Sequence, residues 1–256
     1  MINVNSEYGH EYFPGLDIAY KVNKNTKIFG SYNISMRTPN YTELYYSSPT
    51  DQGNKNLKSE KSNNKEIGLS LERDNYTSTI TFYNRDGKNM IDWILTNGDS
   101  IWRTQNFNQI ITNGYEINSK INVSKVLKTN FPISYLNINY AVNKSNLKSN
   151  NFQSRYVIDH LASNLSLSIS QLIGQKLKIK WKLSRQDREG GYILNNSDEE
   201  VEYLPFWLAD IRLSYKVFKI NSIFLEINNL LNETYVDYGN VPQPNRWIRI
   251  GTKIKL

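Results

Sequence analysis

Few residues of this sequence are equipped for catalysis. Its 256 residues include no cysteine, so a thiol nucleophile, a disulfide and a cysteine metal site are excluded. The two histidines, His10 and His160, lie far apart in sequence, which argues against a metal site and against histidine-based catalysis. Glu66, Glu72 and Glu116 could be interpreted as paired carboxylates for hydrolysis, but we expect them on different strands. The sequence therefore predicts no enzyme, no metal site and no cofactor.

Aromatic and arginine side chains in predicted loops are better candidates, as ligand-binding groups. Aromatic faces suit large, flat or metal-chelate ligands, and loops on a rigid scaffold often carry function. The candidates for ligand contact are Arg37, Tyr41, Tyr45, Tyr46, Trp93, Trp102, Tyr192, Tyr203, Tyr235 and Tyr238. An alternative for Trp207 and Tyr203 is an interfacial aromatic belt. Arg37, Pro39 and Glu43 could instead only fix the packing of their loop.

These side chains must be positioned by β-strands, because apolar and polar residues alternate along most of the chain. The clearest run covers 207–217, where Trp207, Ala209 and Ile211 begin an apolar series that alternates with polar residues. Eleven strands are predicted. They lie at about 15–23, 26–36, 61–73, 76–86, 110–124, 132–144, 155–171 and 176–186, with three more between 205 and 256.

The predicted connections alternate between short turns and long loops. The long loops are 37–60, 87–108, 145–154, 187–203 and 231–244. The second is expected to hold a small hairpin around Trp93 and Trp102. Short turns on one side and long loops on the other are typical of outer-membrane barrels, and strands of roughly 10–15 residues are longer than most strands of soluble sheets. We therefore predict an all-β fold, an antiparallel transmembrane β-barrel segment of about 11 up-and-down strands.

The order of the loops also sets the expected direction of the strands. Because the connection before the last strand, 231–244, is long, we expect it outside the cell and the C-terminus in the periplasm. The first strand then runs in the same direction as the last. Residues 1–13, which show no signal peptide, are expected outside the cell. Complete bacterial barrels have an even number of strands, so we expect further strands N-terminal to this chain.

Five groups of motifs follow one another in a fixed order along the chain. They are R-T-P with E-L-Y (37–45), G-N-K-N-L-K-S-E with E-I-G (53–68), Asn106 with G-Y-E (114–116), N-N-L-L-N-E-T-Y (228–235) and P-Q-P-N-R-W (242–247). Their key positions are Arg37, Pro39, Glu43, Leu44, Glu60, Glu66, Gly68, Gly114, Glu116, Asn229, Leu230, Tyr235, Pro244, Arg246 and Trp247. In this order they resemble the motifs of TonB-dependent outer-membrane receptors, most of all the branch for iron complexes and cobalamin. The resemblance covers about residues 15–256.

The resemblance implies a fold and a function. The family barrel has about 22 strands, so residues 1–256 would be its C-terminal part, with the plug domain and the TonB box absent. The implied function is energised uptake of a ferric siderophore, haem or a cobalamin-like nutrient in a Gram-negative outer membrane. The implied partners are outer-membrane lipid, the nutrient chelate, the TonB–ExbB–ExbD complex acting through the plug and TonB box, and the barrel assembly machinery acting on the C-terminal strand. No nucleic acid is expected, since the net charge of +7 includes no Lys/Arg-rich block.

Two other functions stay open from the sequence. One is a passive porin or adhesin-like outer-membrane barrel, and the other is a soluble carbohydrate-binding β-sandwich.

The sequence also departs from the family pattern, since Leu231 and Leu256 stand where phenylalanine is usual and Asn245 where glycine is usual. We expect that the chain by itself is not an autonomous transporter, because an unpaired first strand would leave backbone groups unsatisfied in lipid.

A basic row is the last candidate. Lys178, Lys180 and Lys182 alternate with apolar residues on one predicted strand and therefore share its polar face. They could face an acidic plug surface or steer anionic chelates. The interpretation that we favour is a hydrated wall of the barrel lumen.

Overall fold

The computed structural model describes residues 2–5, 9–127, 132–146, 152–155, 160–194, 200–218 and 221–254. These ranges contain seventeen strands and two short helices. The strands are β1 (Ile2–Asn5), β2 (Gly9–Tyr12), β3 (Gly15–Asn23), β4 (Thr26–Arg37), β5 (Asp51–Gln52), β6 (Glu60–Arg73), β7 (Tyr76–Thr96), β8 (Trp102–Asn122), β9 (Ile133–Ser145), β10 (Phe152–Ser154), β11 (His160–Ile173), β12 (Leu177–Glu189), β13 (Gly191–Ile193), β14 (Glu200–Glu202), β15 (Phe206–Lys216), β16 (Asn221–Asn228) and β17 (Trp247–Ile254). The helices are α1 (Tyr41–Tyr45) and α2 (Val123–Leu127).

The strands belong to two compact units. The first consists of Met1–Leu69, Thr81–Tyr115 and Asn143–His160. Its strands pair in the order β3-β4-β6-β7-β8, β10 adds to β7, and β5 adds to β8 as a short parallel pair. A separate hairpin joins β1 to β2.

The second unit consists of Ser70–Ile80, Glu116–Val142 and Leu161–Leu256. Its strands pair in the order β6-β7-β8-β9-β11-β12-β15-β16-β17, and β13 pairs with β14 alone. The register along β12 and β15 is continuous from Leu177 opposite Tyr215 to Gln186 opposite Phe206. In both units, therefore, the predicted antiparallel, all-β fold of about eleven long strands is confirmed.

Large apolar side chains are exposed along one face of the strands in each unit. On β3 the predicted series Leu16, Ile18, Tyr20 and Val22 is between 49% and 68% exposed. The first unit adds Ile28, Tyr32, Ile67, Leu69 and Phe82, and the second unit shows Trp181, Tyr215, Ile223, Ile248, Ile250 and Ile254. A contiguous apolar face of this kind needs a partner or an apolar solvent to cover it.

Buried apolar side chains are few in the described part of the chain. In the first unit they lie on β7, on β8 and on the connection between β4 and β6, which we call the 38–59 loop. They are Leu57, Tyr83, Ile91, Trp93, Ile94 and Ile110. In the second unit Tyr203 and Phe206 are buried. The core of each unit thus lies next to the long connections that hold the candidate ligand residues.

The structure corrects the prediction of a loop over 87–108. Strands β7 and β8 continue through this region and end only at a tip over 97–101, so Trp93 and Trp102 lie on the strands of one long hairpin. The backbone of β7 is irregular two residues after Gly87, where Asn89 adopts a positive φ of 53°. The side chain of Asn106 donates a hydrogen bond to the carbonyl of Asn89 at 2.7 Å and supports this positive-φ backbone.

Other boundaries also differ from the prediction. The seventh predicted strand begins at His160 rather than at 155, and Phe152–Ser154 form the short strand β10 on β7. The pairing of β1 with β2 was not predicted, since these strands are too short to show alternation. The predicted turn at 219–221 lies largely, and Leu256 wholly, outside the described residues.

Candidate functional site

Short local signals position the start of the 38–59 loop. The Asn40 side chain accepts a hydrogen bond from the Glu43 N–H at 2.9 Å, and the Glu43 carboxylate accepts one from the Asn40 N–H at 2.8 Å. This reciprocal capping box begins helix α1. Buried Pro39 precedes it. The motif positions Pro39 and Glu43 therefore set the entry of the chain into the loop.

Arg37, at the end of β4, ties the loop to the next strand. Its Nε and Nη2 donate to the two oxygens of Glu60 at 2.8 and 2.7 Å, and its Nη1 donates to Glu43 at 2.9 Å. Both carboxylates are largely buried, whereas the arginine side chain is 43% exposed. We call this contact set the arginine fork. It commits most of the guanidinium donors to protein carboxylates.

Two further contacts hold the loop against the β7–β8 hairpin. The amide of Asn106 accepts from the Lys58 N–H and donates to the Lys58 carbonyl, both at 2.9 Å. The buried Thr104 hydroxyl donates to the Glu43 carbonyl at 2.8 Å. Gly53 is required beneath α1, because a Cβ there would lie 2.9 Å from the backbone of Glu43 and its two successors. These motif residues thus act by fixing the loop.

A cluster of aromatic side chains surrounds Arg155 in the first unit. The guanidinium lies 4.5 Å from the ring centre of Trp102 and 5.6 Å from that of Trp93, and it pairs with Asp51 at 2.6 Å. The Tyr46 ring packs edge-on against Trp93 at 6.2 Å. We call these five residues the tryptophan cluster. It has a buried anchor, Trp93, and an exposed edge, Tyr46.

The acid of this cluster is kept ionised by its neighbours. Hydrogen bonds from the Thr50 hydroxyl at 2.7 Å and the Ser48 hydroxyl at 3.0 Å, together with the ion pair to Arg155, lower the pKa of Asp51. Burial opposes this shift and is outweighed. Asp51 therefore holds Arg155 over the indole rings across the neutral pH range.

Exposed aromatic side chains lie on α1. Tyr41 and Tyr45 are one helical turn apart, and their ring centres are 5.0 Å from each other. Their exposed fractions are 78% and 45%. The ammonium of Lys55 lies 5.5 Å from the Tyr45 ring. Two aromatic faces beside a cation provide a surface suited to flat, anionic or aromatic ligands.

A second arginine-centred cluster lies in the second unit. Arg188 is 5.8 Å from the ring centre of Tyr203 and 5.3 Å from that of Tyr238, and it pairs with Asp237 at 3.4 Å. The Tyr192 ring packs on Tyr203 at 5.3 Å. We call these five residues the tyrosine cluster. The hydroxyl of buried Tyr203 also accepts a hydrogen bond from the Gly239 N–H at 2.8 Å, which ties the cluster to the β16–β17 connection.

The N-N-L-L-N motif forms the turn after β16. Asn229 is buried with a positive φ of 50°, and its side chain both donates to the Glu233 carbonyl and accepts from the Glu233 N–H. The N–H of Leu230 donates to the Ala209 carbonyl at 2.7 Å. Beyond the turn, Tyr235 packs on Phe206 at 4.4 Å, and burial raises the pKa of its phenol.

The structure groups the predicted ligand residues unevenly. It brings Tyr46, Trp93 and Trp102 together in one unit, and Tyr192, Tyr203 and Tyr238 together in the other. Both central arginines, Arg155 and Arg188, were missed. A single arginine at or near the end of a predicted strand carries no periodic signal, so only the folded chain reveals which rings it contacts.

The structure does not gather the glutamates considered for hydrolysis, or a set of metal ligands, into one site among the residues that it describes. Glu66 and Glu72 lie together on β6 and Glu116 lies on β8, so the expectation of different strands holds for Glu116 and is wrong for the other two, which are only six residues apart on one long strand. Among the residues that the structure describes, no group of three or more His, Asp or Glu side chains could hold a metal ion. No helix in the described ranges is long and apolar enough to cross a membrane.

Comparison with protein families gives one match over most of the chain. The family described as "TonB dependent receptor-like, beta-barrel" matches residues 3–230. This range includes the 38–59 loop, the tryptophan cluster and most of the eleven long strands.

Two curated proteins are similar in sequence. The ferrienterobactin receptor of Escherichia coli is 25% identical over 198 residues, covering 74% of this chain and 26% of that receptor. The vitamin B12 transporter BtuB of Photobacterium profundum is 23% identical over 236 residues, covering 91% of this chain and 36% of the transporter. The chain therefore spans about a quarter to a third of the length of these relatives.

Solved structures share the fold. The siderophore receptor PirA from Acinetobacter baumannii superimposes with a TM-score of 0.71 at 19% identity, over 97% of this chain and 41% of that one. A mutant ferric enterobactin receptor, PfeA, from Pseudomonas aeruginosa, solved with enterobactin, gives a TM-score of 0.72 at 15% identity over the same shares. At these identities the likeness establishes the fold alone.

Proposed function

Because this chain belongs to the TonB-dependent receptor-like β-barrel family, we propose that it forms part of the wall of an outer-membrane receptor for energised nutrient uptake. The exposed apolar faces of its strands contact lipid, and the long connections face the outside of the cell. The C-terminal strand then ends toward the periplasm, where the barrel assembly machinery engages it. Energy reaches the receptor from the TonB–ExbB–ExbD complex, and the chain carries out no catalysis of its own.

The observation that carries this proposal is the exposed aromatic surface on the long connections. A passive pore has no need to present paired rings beside a cation, as Tyr41, Tyr45 and Lys55 do. Such a surface binds a large, flat or aromatic ligand by stacking and cation–π contacts. Loop positions are also where a rigid strand scaffold places recognition.

We assign the ligand to the ferric siderophores, haem and cobalamin-like nutrients. The names of the two curated relatives point to a ferric siderophore and to vitamin B12. Ferric catecholates combine aromatic rings with negative charge, which suits the tyrosine faces and Lys55. In the first unit, Tyr46 adds an exposed ring at the edge of the tryptophan cluster, and within the second unit Tyr238 is an exposed ring at the edge of the tyrosine cluster. The buried anchors Trp93 and Tyr203 hold these rings in place.

The arginine fork has a different part in this proposal. Because Glu43 and Glu60 occupy the guanidinium of Arg37, this residue positions the loop and leaves ligand contact to the tyrosines. Tyr235, stacked on Phe206, similarly supports the β16–β17 connection. Ligand contact and loop positioning make different predictions for these residues. Substituting a positioning residue changes the order of the loop even without ligand, whereas substituting a ligand contact changes only binding.

A binding titration tests the proposal. The full chain in detergent micelles is titrated with ferric enterobactin, haemin and cyanocobalamin, and quenching of its tyrosine and tryptophan fluorescence is followed. We expect saturable quenching by at least one ligand, and a dissociation constant raised about tenfold in the Tyr41→Ala/Tyr45→Ala double variant, equivalent to roughly 1.4 kcal/mol.

The matched control removes two exposed tyrosines from strands. Tyr20 on β3 and Tyr32 on β4 are 68% and 37% exposed and lie on the apolar face. The Tyr20→Ala/Tyr32→Ala variant should bind as the wild type does. Lack of saturable quenching by all three ligands, or equal weakening in both double variants, would contradict the proposal.

A further inference from the structure

One face of β12, β15, β16 and β17 carries a dense group of charges. Directly opposed residues of antiparallel neighbours share a face. The register places Lys180 opposite Arg212, Arg212 opposite Glu226, and Glu226 opposite Arg249. This row is one residue wide, runs across four strands, and contains three cations for one carboxylate.

The one carboxylate of the row is already used. Glu226 pairs with Arg212 at 2.5 Å through one oxygen and with Arg249 through the other. Its single negative charge is therefore shared between two arginines, and in the described part of the chain it forms no ion pair with Lys180. Like charges in directly opposed positions destabilise a sheet, and Lys180 beside Arg212 is such a pair.

Next to this row is a cavity of about 350 Å³. Four basic side chains and two hydroxyls line it, namely Lys178, Lys180, Arg212, Lys253, Ser214 and Ser222, and no carboxylate does. In the described part of the chain, none of the three lysines forms an ion pair. We call it the lysine cavity.

An aromatic ring fixes the position of the arginine in this cavity. The Arg212 guanidinium lies 3.9 Å from the ring centre of Phe224, which also lines the cavity. The Phe224 ring in turn lies over Gly251, where a Cβ would be only 2.7 Å from it. Arg212 is thus held by a ring on one side and by Glu226 on another, so it is pre-organised rather than free to move away from the lysines.

We propose that the lysine cavity binds a small oxyanion, a phosphate or carboxylate group. An anion there would relieve the repulsion between Lys180 and Arg212 and accept hydrogen bonds from the two serine hydroxyls. The cavity, of about 350 Å³, is large enough to hold such a group. The site uses residues of β12, β15, β16 and β17 alone, so it does not depend on the uptake ligand proposed for the long connections.

Isothermal titration of the full chain in a nonionic detergent tests this site. Inorganic phosphate and citrate are the two probes, because they separate a phosphate preference from a carboxylate preference, and measurements at low ionic strength limit screening. We expect saturable binding of at least one probe, with the dissociation constant raised at least about tenfold in the Lys178→Gln/Lys180→Gln/Lys253→Gln variant.

A second triple variant separates the site from the general charge of this face. Lys176→Gln/Lys182→Gln/Lys216→Gln removes the same number of charges from the same unit, and none of these residues lines the cavity. This control should change the dissociation constant less than about threefold. A β-sheet circular dichroism spectrum equal to that of the wild type establishes that each variant folds. Equal loss of binding in the two folded variants, or no saturable binding of either probe by the wild type, would overturn the proposal.

Discussion

Replacing Arg37 with alanine should open the 38–59 loop while leaving the strands paired. The substitution removes three donor groups that now bind Glu43 and Glu60. Both carboxylates are only 12% exposed, so water does not fully replace the lost partner. The loop keeps its capping box and the contacts of Asn106 and Thr104, and these limit the effect to local opening.

The size of the effect follows from burial and geometry. A hydrogen bond to a charged group contributes about 1.5–3 kcal/mol, whereas an exposed ion pair contributes about 0–1 kcal/mol. Arg37 is 43% exposed, so each of its three contacts is expected to contribute an amount between these two ranges, and the contributions add up. We expect the free energy of local opening to fall by roughly 2–3 kcal/mol, which corresponds to roughly 30- to 150-fold faster amide exchange.

Hydrogen exchange measured residue by residue is the assay. The informative amides are Gly53, which donates to the Tyr46 carbonyl at 2.7 Å, and Asn54, which donates to the Glu43 carbonyl at 2.9 Å. Arg37→Lys should fall between the wild type and Arg37→Ala, because lysine keeps the charge but cannot form the fork.

The control and the refuting results are specific. Arg73→Ala removes an arginine that lies over the Tyr76 ring near a short turn, and it should leave the exchange of Gly53 unchanged. The Arg37→Ala/Glu60→Gln double variant should lower the free energy of loop opening by much less than the sum of the two single changes, because both remove the same contact. Unchanged exchange at Gly53 and Asn54 in Arg37→Ala, or strict additivity in the double variant, would refute the reasoning.

Two further predictions concern an acid and a glycine. The pKa of Asp51 is lowered in the folded chain, chiefly by the hydrogen bond from the Thr50 hydroxyl. Ionised Asp51 therefore stabilises the loop fully above the unfolded aspartate pKa of about 3.9, and this stabilisation is lost as the pH falls through the lower folded pKa. Pepsin cleavage of the loop should therefore accelerate below about pH 4 in the wild type relative to Asp51→Asn, and parallel pH profiles would contradict this. Gly251→Ala should lower the free energy of unfolding by about 1–3 kcal/mol, measured in guanidinium, because its Cβ would lie 2.7 Å from the Phe224 ring. Gly15→Ala, whose Cβ meets no atom nearer than 3.8 Å, is the control and should stay within about 0.5 kcal/mol of the wild type.

The strands were predictable because their signal is local. A period of two in residues such as Leu16, Ile18 and Tyr20 identifies both the strand and its apolar face, and the structure confirms both. The continuation of β7 past Gly87 was not predictable in this way. There the pairing with β8 maintains the strand although the residues themselves are typical of a turn.

The candidate site was predictable in its residue types but not in its organisation. Tyr46 and Trp102 were chosen as candidates because aromatic residues stand out in stretches predicted as loops, although Trp102 lies on β8. Their arrangement depends on Arg155, which the chain brings to them across long sequence distances. Arg37 shows the reverse case, since its motif is visible in the sequence but its contacts with Glu43 and Glu60 are visible only in the structure.

The arginine fork also has a consequence for the order in which the first unit folds. Arg37 and Glu60 are 23 residues apart, and the contact between Thr104 and Glu43 spans 61 residues. Contacts of this range form only after the intervening segments have closed, since loop closure costs entropy before the contact is gained. We therefore expect the 38–59 loop to settle after β4, β6, β7 and β8 have paired. In this order the paired strands of the first unit form first, and the aromatic surface of the loop is completed last, on a scaffold that is already in place.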